Sequence, residues 1–324
     1  MPYLTKAKIF LSLILLVSAL PAVFGCGGGG GDDPITPSAD SFKIIVISDV
    51  HVRLPGNPDD VKYNNALNLS RFNDALNSIN AGHADADMVI VNGDLTGCLF
   101  SSNLADYGIG ADNPAERFKS MIDTLGKPYH VILGNHDYQE GFNTSYEEGI
   151  PSSDPAAMEA IWKKVLGIDP YYSFVHKGVR FIMLNSIRGS SYDALCPSST
   201  IETACRGSFD NEQMNWLESE LANSEPCLIF LHHPVITDNN STKYWSAAGT
   251  AMQLRSDDRF YSIARTYKSR IKGIFVGHGH VKEKDTLEGV IPVRETAPIN
   301  DGNGSANHIR VVWMDPYTGV MLTD

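Results

Sequence analysis

The chain alternates between two kinds of hydrophobic pattern. Phe42 to Ser48 is a continuous β-branched run, FKIIVIS, with no polar face, which is the mark of a strand buried on both sides. Met88 to Val91, Tyr129 to Leu133, Arg180 to Leu184, Cys227 to Leu231 and Ile271 to Val276 read the same way. Between them lie helical patterns: Ala66 to Ile79, Pro114 to Leu125, Pro155 to Leu166, Asn211 to Leu221 and Asp258 to Lys268. Asp210 or Ser208 could cap the fourth of these. His308 to Met321 predicts two strands around an Asp-Pro-Tyr-Thr-Gly turn. Such alternation predicts an α/β domain of layered sheets with helices outside, spanning residues 42–324. No internal repeat is present.

The first residues stand apart. Lys6 and Lys8 precede an apolar run from Ile9 to Leu20, too short to span a bilayer but suited to a signal peptide. Val23-Phe24-Gly25-Cys26 follows, which resembles a bacterial lipoprotein processing site. Residues 1–25 are then the expected signal peptide, Cys26 the acylated residue, and residues 26–41, rich in Gly, a tether. An ordinary secretory signal is the alternative. The expected location is the cell envelope, with the outer membrane or cell surface preferred.

The domain that follows carries 20% charged residues in a chain that is 43% hydrophobic, so a sizeable core is affordable. Net charge is −12, and loss of residues 1–25 would make it more negative still. That excludes nucleic-acid binding by a basic stripe, and any attraction for an anion must be local. No protein partner can be read from the sequence. Apart from Cys26 there are four cysteines, Cys98, Cys196, Cys205 and Cys227. In an oxidising compartment they permit two disulfides whose pairing the sequence leaves open, with Cys196–Cys205 favoured.

Five strands end in residues able to hold metal: Asp49-Val50-His51, Gly93-Asp94, Gly134-Asn135-His136-Asp137, His232-His233-Pro234 and Gly277-His278-Gly279-His280. Sheets of this class bind ligands at the carboxyl ends of their strands, so these residues should converge. Period-two spacing in an extended chain would put Asp49 beside His51, and His278 beside His280, on one side. Carboxylate, imidazole and amide oxygen without thiolate suit Mn, Fe or Zn better than a structural zinc. The glycines before the ligands would allow close approach. Six of the ten histidines fall in these motifs, which a random scatter would rarely produce.

These five motifs, in this order, resemble those of the calcineurin-like metallophosphoesterases. The resemblance covers residues 43 to 280 and implies a four-layer αββα sandwich: two mixed β-sheets flanked by helices. It implies two metal ions, the first held by Asp49, His51 and His280, the second by Asn135, His232 and His278, with Asp94 bridging. His232 is favoured over His233. His136 would contact the phosphate and protonate the leaving oxygen, while a hydroxide bridging the metals attacks phosphorus. Asp137 would support the site. Purple acid phosphatases of the superfamily place a tyrosine where Gly97 stands, and its protein phosphatases carry G-D-x-x-D-R where Gly93 to Cys98 stand. The stretch Tyr172 to Ser186, with Gln213, Trp216, Leu217 and Leu231-His232-His233-Pro234, is instead similar to the cyclic-nucleotide phosphodiesterase-like group. A phosphodiesterase acting on small phosphate esters is expected. A phosphomonoesterase or nucleotidase, or an inactive metal-binding surface module, are the alternatives. Tyr138, Tyr171, Tyr172 and Trp245 could line the substrate cleft.

Overall fold

A computed structural model describes residues 37–56, 60–99, 113–143, 148–152, 154–189, 206–237, 253–300 and 308–323. Ile35–Asp324 forms one compact unit. The expected signal peptide, Cys26, most of the tether, Cys196, Cys205 and Trp245 lie outside the described residues.

Thirteen strands are described. The first sheet runs β13 (Met321–Thr323), β12 (Arg310–Met314), β1 (Phe42–Ile47), β2 (Met88–Asn92) and β3 (Tyr129–Ile132). The second runs β10 (Glu283–Leu287), β11 (Ile291–Glu295), β9 (Ile271–Val276), β8 (Cys227–Phe230), β7 (Val179–Met183) and β6 (Tyr172–His176). A small ribbon pairs β4 (Gln139–Asn143) with β5 (Glu148–Pro151). Both large sheets are mixed. β1, β2 and β3 are parallel, as are β7, β8, β9 and β11; antiparallel β12 flanks the first group on the β1 side, and antiparallel β10 and β6 flank the second on both sides.

The unbroken apolar runs are explained by what lies on each side. Phe42, Ile44 and Val46 of β1 face the second sheet, in a core shared with Phe181, Leu228, Phe230 and Phe275. Ile45 and Ile47 face outward, among Phe72, Phe118 and Trp162. Those belong to α2 (Asn65–Gly82), α3 (Pro114–Ile122) and α4 (Pro155–Leu166), which follow the short α1 (Asp60–Tyr63). On the far side, Ile229 and Leu231 pack on α5 (Asn211–Leu221) and α6 (Arg259–Thr266). The order helices, sheet, sheet, helices is the expected four-layer sandwich.

The helix starts obey capping chemistry. Asn113, Asp154, Asp210 and Asp258 each accept a hydrogen bond from a backbone N–H of the first turn. Asp210, rather than Ser208, caps α5. Among the described residues no helix is long and apolar enough to cross a membrane. Cys98 and Cys227 are both buried.

Candidate metal centre

The chain reaches the site through bends that the sequence reading did not foresee. Asp49, His51, Asp94, His278 and His280 all have positive φ, between 49° and 67°. They are five of the eight non-glycine residues with positive φ among those described. The expectation of an extended Asp-x-His and His-x-His is therefore corrected. Left-handed bends, not period two, turn these side chains inward. Such backbone is costly for a residue with a Cβ and persists where its surroundings hold it. Here Asp49 N–H donates to Gly93 O at 3.1 Å and His51 N–H to Asp94 O at 2.9 Å, so the two loops brace each other. His278 N–H donates to the Asp49 carboxylate at 3.1 Å.

The side chains then meet in two groups. In the first, His280 Nε2 lies 3.4 Å from Asp49 Oδ1, and His51 Nε2 lies 3.9 Å from the same oxygen. In the second, His232 Nε2 lies 3.1 Å from Asn135 Oδ1 and 3.2 Å from His278 Nδ1. Asp94 joins them: its Oδ2 is 3.4 Å from both His51 Nε2 and His232 Nε2. Asp49–His51–His280, His51–Asp94–His136 and Asp94–His232–His278 each have the proximity needed to hold a cation. All seven predicted ligands are thus brought together, drawn from the ends of β1, β2, β3, β8 and β9.

The donor set fits metal ions. His51 Nε2 and His278 Nε2 are buried and have no hydrogen-bond partner, an arrangement that is costly unless something else takes their lone pairs. His232 Nδ1 donates to Asn92 O at 3.1 Å, which orients the ring with Nε2 directed at Asp94 and Asn135. Asp49 Oδ2 accepts from Ser48 Oγ at 2.5 Å, leaving Oδ1 for His280. Nitrogen and oxygen donors without thiolate suit Mn, Fe or Zn.

Electrostatics separates the imidazoles. Burial pushes Asp94 up, but His232, His136 and His51 outweigh it and hold the carboxyl well below its ordinary range. Burial lowers His232, yet Asp94 overcomes it and raises the ring to about 9. Burial drives His51 and His278 well below the ordinary value; Asp94 opposes this in both. His51 and His278 therefore offer neutral nitrogen lone pairs beside the ionised Asp94, while His232 holds a proton that a bound cation would have to displace.

His136 sits on a 3-10 turn, Asn135–Tyr138. Its N–H donates to Asp94 Oδ1 at 2.9 Å, and its Nδ1 donates to Gly97 O at 2.9 Å. The Nε2 lone pair is then free in the neutral ring, and proton donation requires the ring to carry a second proton. Burial lowers the ring below its ordinary value, and Asp94 offsets this only in part. Asp137 braces the turn, as expected: it accepts from the N–H of Leu95, Thr96 and Gly134. Burial and Asp94 push its carboxyl up to about 7. A Cβ at Gly93 would come within 2.3 Å of His232, and one at Gly134 within 2.2 Å of Asp94.

His233 turns away from Asp94 and meets Ser186 Oγ at 2.9 Å. Of the candidate cleft aromatics, Tyr171 lines a cavity of about 380 Å³ with Glu159, Asp169, Asn185, Arg188 and Glu212. Tyr138 is buried and donates to Glu159, and Tyr172 donates to Val131 O, so both are packing residues. The sequence reading missed Ser48, Asn92, Ser186 and Arg53. The first two are legible only as the polar residues that end β1 and β2. Arg53 was marked only by following His51 at the same spacing as His51 follows Asp49.

A family model described as "Calcineurin-like phosphoesterase" matches residues 42–282. A protein of Arcobacter nitrofigilis named "probable glycerophosphodiester phosphodiesterase" is 24% identical over 200 residues, covering 60% of this chain and 57% of its own length. Another, of Rhodopseudomonas palustris, named "probable cyclic nucleotide phosphodiesterase", is 24% identical over 243 residues, 74% of this chain and 72% of that one. The alignment thus spans little more than half of the Arcobacter protein. A dimetal phosphatase from Danio rerio superposes with a TM-score of 0.54 at 15% identity, over 87% of this chain and 93% of the other, which supports the fold.

Proposed function

The chain belongs to the calcineurin-like phosphoesterase family, and from that premise we propose that it is a metal-dependent phosphodiesterase acting on small phosphate esters. The observation that carries this reading is the shared carboxylate. Asp94 Oδ2 stands 3.4 Å from a histidine of each cluster, which is where a ligand common to two cations must stand. Asp49, His51, His280 and Asp94 would hold one ion, and Asp94, Asn135, His232 and His278 the other. Ions held there would supply Lewis acidity, lowering the pKa of a coordinated water and polarising phosphate oxygens. The chain's own part is to fix the geometry. Asn92 O orients His232, Ser48 orients Asp49, and Gly97 O orients His136. To hand an Nε2 proton to the leaving oxygen, His136 would first have to take up a second proton, which burial disfavours and Asp94 only partly favours.

The names of the two relatives favour a diester over a monoester. The test is to load the protein with Mn²⁺ and compare a chromogenic phosphodiester with the matching monoester, using Asp94→Asn as control. Diester turnover should fall at least about a hundredfold in the control, since even residues behind a metal ligand cost 10–100-fold. Turnover of the monoester alone would replace the diesterase by a phosphatase or nucleotidase. Metal binding without turnover of either would leave a binding module.

The same proposal places the enzyme outside the cytoplasm, tethered through Cys26. The basic start, the apolar run Ile9 to Leu20 and the Gly-rich stretch after Cys26 support this. Incorporation of labelled palmitate should be lost in Cys26→Ser, and labelling that survives the substitution would remove the anchor from the reading.

A further inference from the structure

The metal ligands account for the cations of this site but not for Arg53. This residue lies two positions past His51 and is only 3% exposed, as closed to solvent as His51 and Asp94. Its guanidinium carbon stands over the Tyr63 ring, 4.1 Å from its centre, within cation–π range. It also presses on Gly97. A Cβ at that position would lie 2.0 Å from Arg53 Nε and 2.2 Å from Cζ, so the guanidinium fills the space of a side chain that is not there. The carbonyl of Gly97 is the acceptor for His136 Nδ1. One glycine thus seats both the arginine and the histidine that faces the reacting group.

A chain of net charge −12 must attract an anionic substrate by local positive charge. Arginine supplies a planar fork that matches two phosphate oxygens, and contact with Tyr63 and Gly97 removes most of the freedom it would otherwise lose on binding. We propose that Arg53 is a substrate-binding residue of this site, whose guanidinium, seated against Tyr63 and Gly97, receives a non-bridging oxygen of the phosphate group. The inference rests on the reading of the centre as a phosphoesterase site. It adds to that reading a specific anion receptor outside the metal ligands. The competing role is a strut, in which Arg53 merely ties the loop after His51 to Tyr63 and to the turn at Gly97.

Binding of inorganic phosphate by calorimetry separates the two roles without relying on turnover. The full chain, loaded with Mn²⁺, is compared with Arg53→Gln, Arg53→Lys and Gly97→Ala, with bound Mn²⁺ and melting temperature recorded for each. Arg53→Gln should weaken phosphate about ten- to a hundredfold, the value of a charge-assisted hydrogen bond, at unchanged Mn²⁺ content. Arg53→Lys should fall between, because it keeps the charge and loses the fork. Gly97→Ala should weaken phosphate in the same direction while Arg53 is still present, because its methyl group displaces the guanidinium. With a diester substrate, Arg53→Gln should raise KM by more than it lowers kcat. Phosphate affinity within twofold of wild type in Arg53→Gln, or loss of affinity that follows loss of Mn²⁺, would establish the strut instead. A wild-type protein that binds phosphate through Arg53 but turns over no ester would overturn the phosphodiesterase reading and leave this one standing.

Discussion

His130, on β3 and five residues before Asn135, is not one of the predicted ligands and shows how one ring can couple stability to pH. It stacks on Phe174 with centroids 3.8 Å apart and interplanar angle 14°. Burial, with a smaller push from His176, lowers it to about 4. His176 itself bonds to Asp87, which also pairs with Lys177. The unfolded chain takes up a proton near pH 6.5, whereas the folded chain resists until about pH 4. Between those values the unfolded state binds more protons, so stability is full above pH 6.5 and falls as pH drops towards 4. From pH 7 to pH 5 the loss from this ring is about 1–2 kcal/mol, discounted for its partial exposure. His130→Phe keeps the stack and removes the titration, so urea unfolding at the two pH values should show a smaller acid loss in the variant. Equal losses in both proteins would mean that the folded ring takes up its proton normally. At this scale the sequence was only partly legible. The seven residues that the structure brings together could be picked out because their motifs follow apolar runs. The left-handed bends at Asp49, His51, Asp94, His278 and His280 could not, because positive φ there is imposed by contacts between loops distant in sequence.

Among the elements, α4 has a role beyond covering the first sheet. Trp162 is fully buried, and its Nε1 donates to Asp137 O at 2.9 Å. From the same helix, Glu159 accepts from Tyr138 at 2.9 Å. Both bonds end on the 3-10 turn that carries Asn135 and His136. Trp162→Phe retains most of the apolar contact but leaves a buried carbonyl unpaired, which costs about 1–3 kcal/mol. A drop of that size in denaturant unfolding is expected, together with faster loss of Mn²⁺ to a chelator. Unchanged metal retention at reduced stability would show that α4 supports the fold but not the turn. The elements that the sequence revealed are those with two buried faces or a strong helical period. α4 and α5 begin and end at the predicted residues. β6, β10, β11 and the β4–β5 ribbon escaped. β10 reads EKDTL and β11 IPVRE, with charged residues along the outer part of the sheet, so no continuous apolar run announces them.

On the scale of the whole domain, the centre sits where the two sheets meet. Asp49, Asp94 and Asn135 come from the first sheet, and His232, His278 and His280 from the second. Behind them the sheets are joined by apolar packing, including Phe181, Phe230 and Phe275 stacked across the second sheet at 6.0 and 4.8 Å. Cations bound at the rim therefore link two layers that separate on unfolding, and binding to the folded state alone must raise stability. At a free Mn²⁺ concentration 100-fold above Kd the gain is about 2.7 kcal/mol per site. For a domain of this size that corresponds to a rise of roughly 5–10 °C in Tm. The rise should grow with the logarithm of Mn²⁺ concentration and reverse on chelation. Asp94→Asn makes the argument specific. Without metal, it removes the carboxylate that holds His232 protonated and should already cost up to about 3–5 kcal/mol, so the readout is the Mn²⁺-dependent difference and not the absolute stability. With metal, both ions lose a shared ligand, so the Mn²⁺-dependent rise should shrink by half or more. A variant that loses stability equally with and without Mn²⁺ would mean that Asp94 holds the loops together without joining two metal sites.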